Sequence, residues 1–236
     1  MGKNLIKENC PLCENPFDPN ENYAQSKFCH KCETLYTPYW DNNLYDEAYK
    51  DKYIAHWESE TNNPLQRCRW NTIGEHIRSG SLLDIGCGTG SFLRAAPLNF
   101  TCIGCDINQH CVDYCNKNGI EASGTSIPLE HEFDVITMFD VIEHYPNLDV
   151  LDTIKCILKD NGYFVFCTPN FKPSRLDNIE EWRHYRPKGE HVFCFSEKSI
   201  LTMAKLHGFK VIDINFEESK IRLPEKNIAT YVLKKV

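Results

Sequence analysis

Leu82-Leu83-Asp84-Ile85-Gly86-Cys87-Gly88-Thr89-Gly90 is the stretch that decides the reading of this chain. A β-prone apolar run enters a turn with glycines at alternate positions, and a helical pattern over 90–96 follows until Pro97 stops it. Glycines in such a turn accept positive φ and let a ligand approach the backbone closely. Dinucleotide sites use a related turn, but two details differ here. The third glycine falls one place early for GxGxxG, with Ser91 in the expected slot. Asp84 also stands just before the turn, where it repels a pyrophosphate. A sulfonium-bearing amino-acid ligand has no pyrophosphate, and its cationic end tolerates the carboxylate. Twenty residues past Gly86, Asp106 closes the next β-prone run in Gly-Cys-Asp-Ile-Asn, placed to accept hydrogen bonds from a ribose diol. The plainer alternative for Asp106 is a cap on a helix over 108–117.

Around this turn, β-prone runs at 81–85, 100–106, 133–139, 162–167 and 209–215 alternate with helical patterns at 108–117, 148–158 and 197–207, and a short β-prone run closes the chain at 230–234. Such alternation predicts βαβ units: a Rossmann-like, doubly wound, mostly parallel α/β sheet with helices on both faces and ligands at the carboxyl ends of its strands. Upstream, Tyr45, Tyr49, Tyr53 and Trp57 recur at i, i+4 on one helical face, which suits either core packing or the lining of a cleft. Pro64 suits the first turn of a helix reaching about residue 77, with Leu65, Trp70, Ile73 and Ile77 inward. The expected division is a small Cys-rich unit over 1–38, a helical cap over 39–80 and the ligand-binding domain over 81–236.

In the first unit, Cys10-Pro-Leu-Cys13, fifteen further residues, then Cys29-His-Lys-Cys32 match a zinc ribbon. Each CxxC turn aims two thiolates at one ion, and two turns complete a tetrahedral site. Four unmetallated thiols or two disulfides are the alternatives. A segment so short has almost no core, so metal binding would supply most of its folding energy. The closed site points to a structural or recognition role, with His30 exposed rather than ligating.

With 236 residues, 42% apolar and 25% charged, the chain suits one α/β core with a small appendage. No window approaches the roughly eighteen apolar residues of a membrane span, and the N-terminus lacks the apolar segment of a secretory signal. Thirteen cysteines, an odd number without an export signal, fit a reducing cytoplasmic setting. Cys102, Cys105, Cys111 and Cys115 read as buried apolar thiols. A net charge of −7 argues against long nucleic acids as partners.

Leu82–Gly90, then Gly-Cys-Asp-Ile, then Phe133-Asp-Val-Ile-Thr-Met-Phe-Asp-Val-Ile-Glu-His144, then Gly-Tyr-Phe-Val-Phe-Cys-Thr-Pro-Asn170 resemble, in this order, the class I S-adenosylmethionine-dependent methyltransferases. The stretch from Thr168 to Phe209 resembles a subgroup found in sugar and surface-polysaccharide tailoring, related to the O-methyltransferases of ubiquinone biosynthesis. The resemblance spans about 65–236. It implies that Asp84, Gly86, Cys87, Gly88 and Gly90 hold the methionine part of the cofactor, and Asp106 and Ile107 the ribose and adenine edge. Thr125 and Ser126 would lie near the adenine, with Phe139 and Asp140 closing the pocket.

Methyl transfer from a sulfonium gains much from holding donor and acceptor together, and a hydroxyl acceptor gains further from a base or metal that takes or masks its proton. Asp140-Val-Ile-Glu143-His144 follows directly on a strand, at the edge where chemistry is expected. His144 is the first candidate base, His191 the second, with Glu143 beside them; backbone hydrogen bonding is the bland alternative. Asp140-x-x-Glu143-His144 also resembles the ExxEH metal motif of small-RNA 2′-O-methyltransferases, so Asp140, Glu143, His144 and His191 form a candidate Mg²⁺ set, with the short Asp at its first position counting against it. The long connection 171–188 carries Arg175, Trp182, Arg183, His184, Tyr185 and Arg186, suited to a phosphorylated or sugar-nucleotide acceptor. The expected function is methyl transfer to a small polar acceptor, a hydroxyl of a sugar or sugar nucleotide. The rivals are an RNA or tRNA methyltransferase gripping nucleic acid by the ribbon, and a non-catalytic cofactor-binding subunit.

Overall fold

Strands form where β-branched and aromatic residues cluster, and Phe133–Phe139 and Ile228–Lys235 are buried along most of their length. The computed structural model describes residues 3–41, 43, 45–57, 62–124, 127–222 and 227–236. Within these, β5 (Gly80–Ile85), β6 (Phe100–Cys105), β7 (Ala122–Ser123), β8 (Phe133–Phe139), β9 (Leu158–Pro169), β11 (Phe209–Asn215) and β12 (Ile228–Lys235) build one seven-stranded sheet in the order β11-β12-β9-β8-β5-β6-β7. The pairs from β7 to β9 are parallel, and β12 runs antiparallel between β9 and β11. The chain winds outward from β5 through β6 to β7, then returns to lay β8 on the other side of β5. That reversal opens a crevice at the carboxyl ends of β5 and β8, where open α/β sheets bind ligands.

Helices α2 (Asn62–Gly74), α3 (Ser91–Arg94), α4 (Gln109–Lys117), α5 (Val150–Ile157), α6 (Glu197–Leu206) and α7 (Glu217–Arg222) accompany the sheet. On α5, Val150, Leu151, Ile154 and Ile157 are buried at helical spacing. Asn108 caps α4 by accepting from the His110 N–H, and Ser196 with Ser199 closes a capping box on α6. The last strand is longer than the expected 230–234 because β9 and β11 both supply ladder partners to it. Helix α7 carries no apolar period in the sequence. The connection 171–188 holds a 3-10 run, Pro173–Glu181, kinked at Asn178.

The N-terminal segment supplies β1 (Lys3–Asn4), β2 (Lys27–Cys29), β3 (Thr34–Tyr36) and β4 (Tyr39–Trp40), and β1 pairs with β4. Strand β3 pairs on one side with β2 and on the other with β10 (Phe193–Cys194), which belongs to the C-terminal half. Helix α1 (Glu47–Trp57) follows. Tyr45 and Tyr49 meet edge to face, with centroids 5.1 Å apart, whereas the side chains of Tyr53 and Trp57 lie outside the described residues. Among the described residues, no helix is long and apolar enough to cross a membrane.

Candidate active site

Strand β5 delivers Asp84 and the glycine turn to the crevice. Gly86 and Gly90 have φ of 75° and 79°, and a Cβ on Gly86 would collide with the Val141 side chain. Both the conformation and the space therefore demand glycine there. Asp84 is buried and accepts from the Thr137 hydroxyl at 2.6 Å. Burial pushes its carboxyl up to about 7. Asp106 leaves the end of β6 and accepts from Gly88 N–H and Asn108 N–H, each at 2.8 Å. It thus ties the turn to the next strand while keeping lone pairs for a diol. Burial raises its pKa as well. Ile107 beside it is exposed, and Cys87 is buried under the turn. Thr89 Oγ1 is buried without a partner among the described residues, an orphan polar atom inside the turn. Thr125 and Ser126 lie outside the described residues. A backbone cradle, an orphan hydroxyl, a carboxyl that awaits a cation and a second carboxylate for a diol fit S-adenosylmethionine.

Directly after β8, a 3-10 turn, Ile142–His144, brings Glu143 and His144 to the same edge. His144 Nδ1 lies 2.7 Å from the Glu190 carbonyl, and His191 Nδ1 lies 2.8 Å from the His184 carbonyl. A carbonyl only accepts, so in each neutral ring Nδ1 carries the proton and Nε2 presents its lone pair. The two rings stand perpendicular with centroids 4.6 Å apart. Tyr45 OH lies 3.2 Å from His144 Nδ1, so the start of the helical cap reaches this pair. Burial lowers the pKa of both histidines, that of His191 strongly. Glu143 is 2% exposed, accepts from Thr168 Oγ1 at 3.1 Å, and is pushed up to about 8 by burial and by the charge of Asp140. Ligand atoms of Glu143, His144 and His191 lie within 4.8 Å of one another.

Asp140 does not join that set, which corrects the four-residue metal motif. It has φ 58° and accepts from Arg222 at 2.7 Å and Arg69 at 3.1 Å. These guanidiniums hold its carboxyl below the usual carboxylate range against the cost of burial. Arg69 also grips Glu218 through Nε at 3.1 Å and Nη2 at 2.9 Å, and its guanidinium lies 4.3 Å from the centre of the Phe139 ring. Phe139 is buried against Phe92 of α3. This network joins α2, α7 and the end of β8. Its two arginines, Arg69 and Arg222, and Glu218 come from stretches without a motif, which is why sequence reasoning missed them.

The four N-terminal cysteines converge. Sγ–Sγ separations are 3.6 Å for Cys10–Cys32 and 3.6 Å for Cys13–Cys29, and all four thiols lie within 4.8 Å of one another. A tetrahedral zinc–thiolate site has sulfur–sulfur edges of about 3.8 Å. The two turns repeat each other: Glu14 N–H donates to Cys10 O and Glu33 N–H to Cys29 O, with φ of 58° and 61° at the two glutamates. The set can hold a metal ion. His30 points away and pairs with Glu21.

A glycine turn at the switch point of a mostly parallel sheet, with one acid before it and another ending the next strand, defines a class I S-adenosylmethionine-dependent methyltransferase. The chain belongs to the family described as Methyltransferase domain, whose model matches residues 55–214. The ubiquinone biosynthesis O-methyltransferase of Actinobacillus pleuropneumoniae serotype 5b is 27% identical over 212 residues, covering 80% of this chain and 85% of that protein. An uncharacterized protein of Methanocaldococcus jannaschii is 29% identical over 170 residues, 69% of this chain and 81% of the other. Among solved structures, magnesium protoporphyrin IX methyltransferase from Synechocystis PCC 6803 superposes with a TM-score of 0.59 at 11% identity, over 82% of this chain and 97% of that one. A methyltransferase from Clostridium acetobutylicum gives 0.57 at 14%, over 80% and 99%.

Proposed function

We propose that this methyltransferase methylates a hydroxyl on a small polar acceptor, a sugar or sugar nucleotide, and that His144 and His191 form the acceptor side of its site. The observation that carries the reading is the pair of imidazoles whose Nδ1 atoms are pinned to carbonyls and whose Nε2 lone pairs stay available beside Glu143. S-adenosylmethionine supplies an electrophilic methyl on a sulfonium. The turn residues Asp84, Gly86, Cys87, Gly88 and Gly90 hold its amino-acid part. Asp106 and Ile107 take the ribose and adenine edge, with Phe139 and Asp140 closing that side. His144 Nε2 takes the acceptor proton as the new bond forms, with His191 as its alternate, and Glu143 beside them keeps the cluster polar. Arg175, Arg183 and Arg186 on 171–188 suit a phosphorylated acceptor. Zinc on Cys10, Cys13, Cys29 and Cys32 completes the 1–38 unit, ahead of a cap over 39–80 and the catalytic part over 81–236. The enzyme works in the cytoplasm.

A second reading has a specific observation behind it. One ring nitrogen from each histidine and one carboxylate oxygen within 4.8 Å of one another are a two-histidine, one-carboxylate ligand set, and each Nδ1–H is held by a carbonyl as metal-bound histidines usually are. Labelled methyl transfer to sugar nucleotides and to phenols, the latter suggested by the ubiquinone-named relatives, tests the acceptor. The same assay on wild type and His144→Ala, with EDTA and with a Mg²⁺ and Mn²⁺ series, separates the mechanisms. A base predicts activity that survives EDTA and falls about 10²–10⁴-fold in His144→Ala. A metal predicts loss on chelation and recovery on addition. Full activity in His144→Ala sinks both.

A further inference from the structure

The segment that carries the histidines' partners, residues 184–194, is bound by the four-cysteine hairpin and the stretch that leaves it at Tyr185, Gly189, Val192, Phe193 and Cys194. Leu35 and Tyr36 of β3 pair with Cys194 and Phe193 of β10. Thr37 N–H donates to Val192 O at 2.8 Å, and Val192 N–H in turn donates to Glu143 O at 2.9 Å. Asp41 N–H donates to Gly189 O at 3.2 Å, and Gly189 has φ 89° where a side chain would strike Asp41 at 2.8 Å. His191 therefore sits between two residues whose backbones are bound by the stretch that leaves the hairpin. Its other support, the His184 carbonyl, is held from the same side. Tyr185 OH lies 2.9 Å from Ser26 Oγ and accepts from Gln25 N–H at 3.2 Å. Phe28 and Leu35 of the hairpin share one buried cluster with Phe171, Ile179 and Trp182. Finally, Ser199 at the start of α6 donates its hydroxyl to Cys32 O at 3.1 Å.

Three short strands held by so few residues have little stability of their own, because a two- or three-residue ladder needs a staple. The four thiols are placed to be that staple: Cys29 ends β2, and Cys32 lies two residues before β3. We propose that the four-cysteine hairpin is a positioning element of the acceptor site, in which the ion held by Cys10, Cys13, Cys29 and Cys32 fixes β3 and β3 fixes the imidazole of His191. This goes beyond a folding role for the ribbon. It rests on His144 and His191 being the acceptor-side pair, and the hairpin's hydrogen bonds named above go to the 184–194 segment and the start of α6, not to the cofactor turn at 86–90.

The test reads the tautomer of His191 by ¹⁵N imidazole spectra of the full chain, assigned with His191→Gln. Zinc-replete wild type shows one Nδ1–H tautomer. Cys13→Ser loses zinc, keeps affinity for S-adenosylhomocysteine within about threefold by calorimetry, and shows an averaged His191 signature. Phe28→Ala, which keeps all four thiols, retains zinc and gives the same averaging, and Phe28→Leu restores the single tautomer. A persistent Nδ1–H signature in zinc-free Cys13→Ser overturns the proposal. Should Cys13→Ser lose S-adenosylhomocysteine binding as well, Phe28→Ala decides, and an unchanged signature there overturns it. Intact methyl transfer in His191→Ala is a different failure: it removes the catalytic reading of the pair and leaves the tautomer result standing.

Discussion

At the scale of single residues, the site is governed by carboxyls and imidazoles whose burial sets their charge. Asp106 accepts from two backbone N–H groups that hold it in place and has lone pairs left over, as the proposed ribose contact requires. Asp106→Ala is expected to weaken S-adenosylhomocysteine binding tenfold to a hundredfold, about 1–3 kcal/mol, in a calorimetric titration. Asp84 makes a pH-dependent case. Burial lifts its carboxyl from 3.8 to about 7, so the folded protein holds that proton longer than the unfolded chain does. The ligand-free protein accordingly loses stability as pH rises from about 4 through about 7. A ligand ammonium beside it reverses the preference by favouring the carboxylate. Binding is therefore expected to tighten between pH 6 and 8 with net proton release, seen as a buffer-dependent heat. Asp84→Asn should flatten the dependence; an unchanged slope in that variant removes Asp84 from the cofactor's cationic end. Burial lowers both histidines, so the ascending limb of the rate profile should lie below the ordinary histidine value of 6.5.

Between elements, the network of Arg69, Glu218, Asp140 and Arg222 fastens α2 and α7 to the end of β8. Arg69 and Glu218 have side chains only 8% and 1% exposed, so neither charge tolerates losing its partner. Arg69→Met leaves Arg222 alone to serve both Asp140, at 2.7 Å, and the buried Glu218, at 3.4 Å, and should cost about 3–5 kcal/mol in urea unfolding. The double variant Arg69→Met/Glu218→Gln should recover a large part of that loss, since the pair's own net worth is small. If the double variant is no better than the single one, the cost lies in packing against Phe139 rather than in charge. Nothing in the local sequence announces this network. Residues 69 and 218 are separated by 149 positions, and only the sheet order brings them together.

For the whole molecule, the pairing of β3 with β10 ties the four-cysteine segment to the C-terminal half. Thermal unfolding of the zinc-bound chain is expected as one cooperative transition, and chelation should lower its midpoint. Elemental analysis of protein purified without added metal should give close to one zinc per chain. Two well-separated transitions, the earlier one sensitive to chelator, would instead describe an independent ribbon over 1–38.

The sequence by itself determined the sheet class, the glycine turn, the acids Asp84 and Asp106 and the two CxxC pairs, because each depends on neighbours in the chain. Strand periodicity, a tolerance for positive φ and the reach of a four-residue turn are local properties. It also marked His144 and His191 as candidates, since one follows a strand and both sit in polar contexts within apolar runs. Only the tertiary structure decided that these rings stand 4.6 Å apart, that Asp140 belongs to two arginines rather than to them, and that a cysteine hairpin near the N-terminus carries the strand beside His191. Those are contacts between distant parts of the chain, selected by burial and strand pairing, and a charge acquires its partner only when the fold has closed around it.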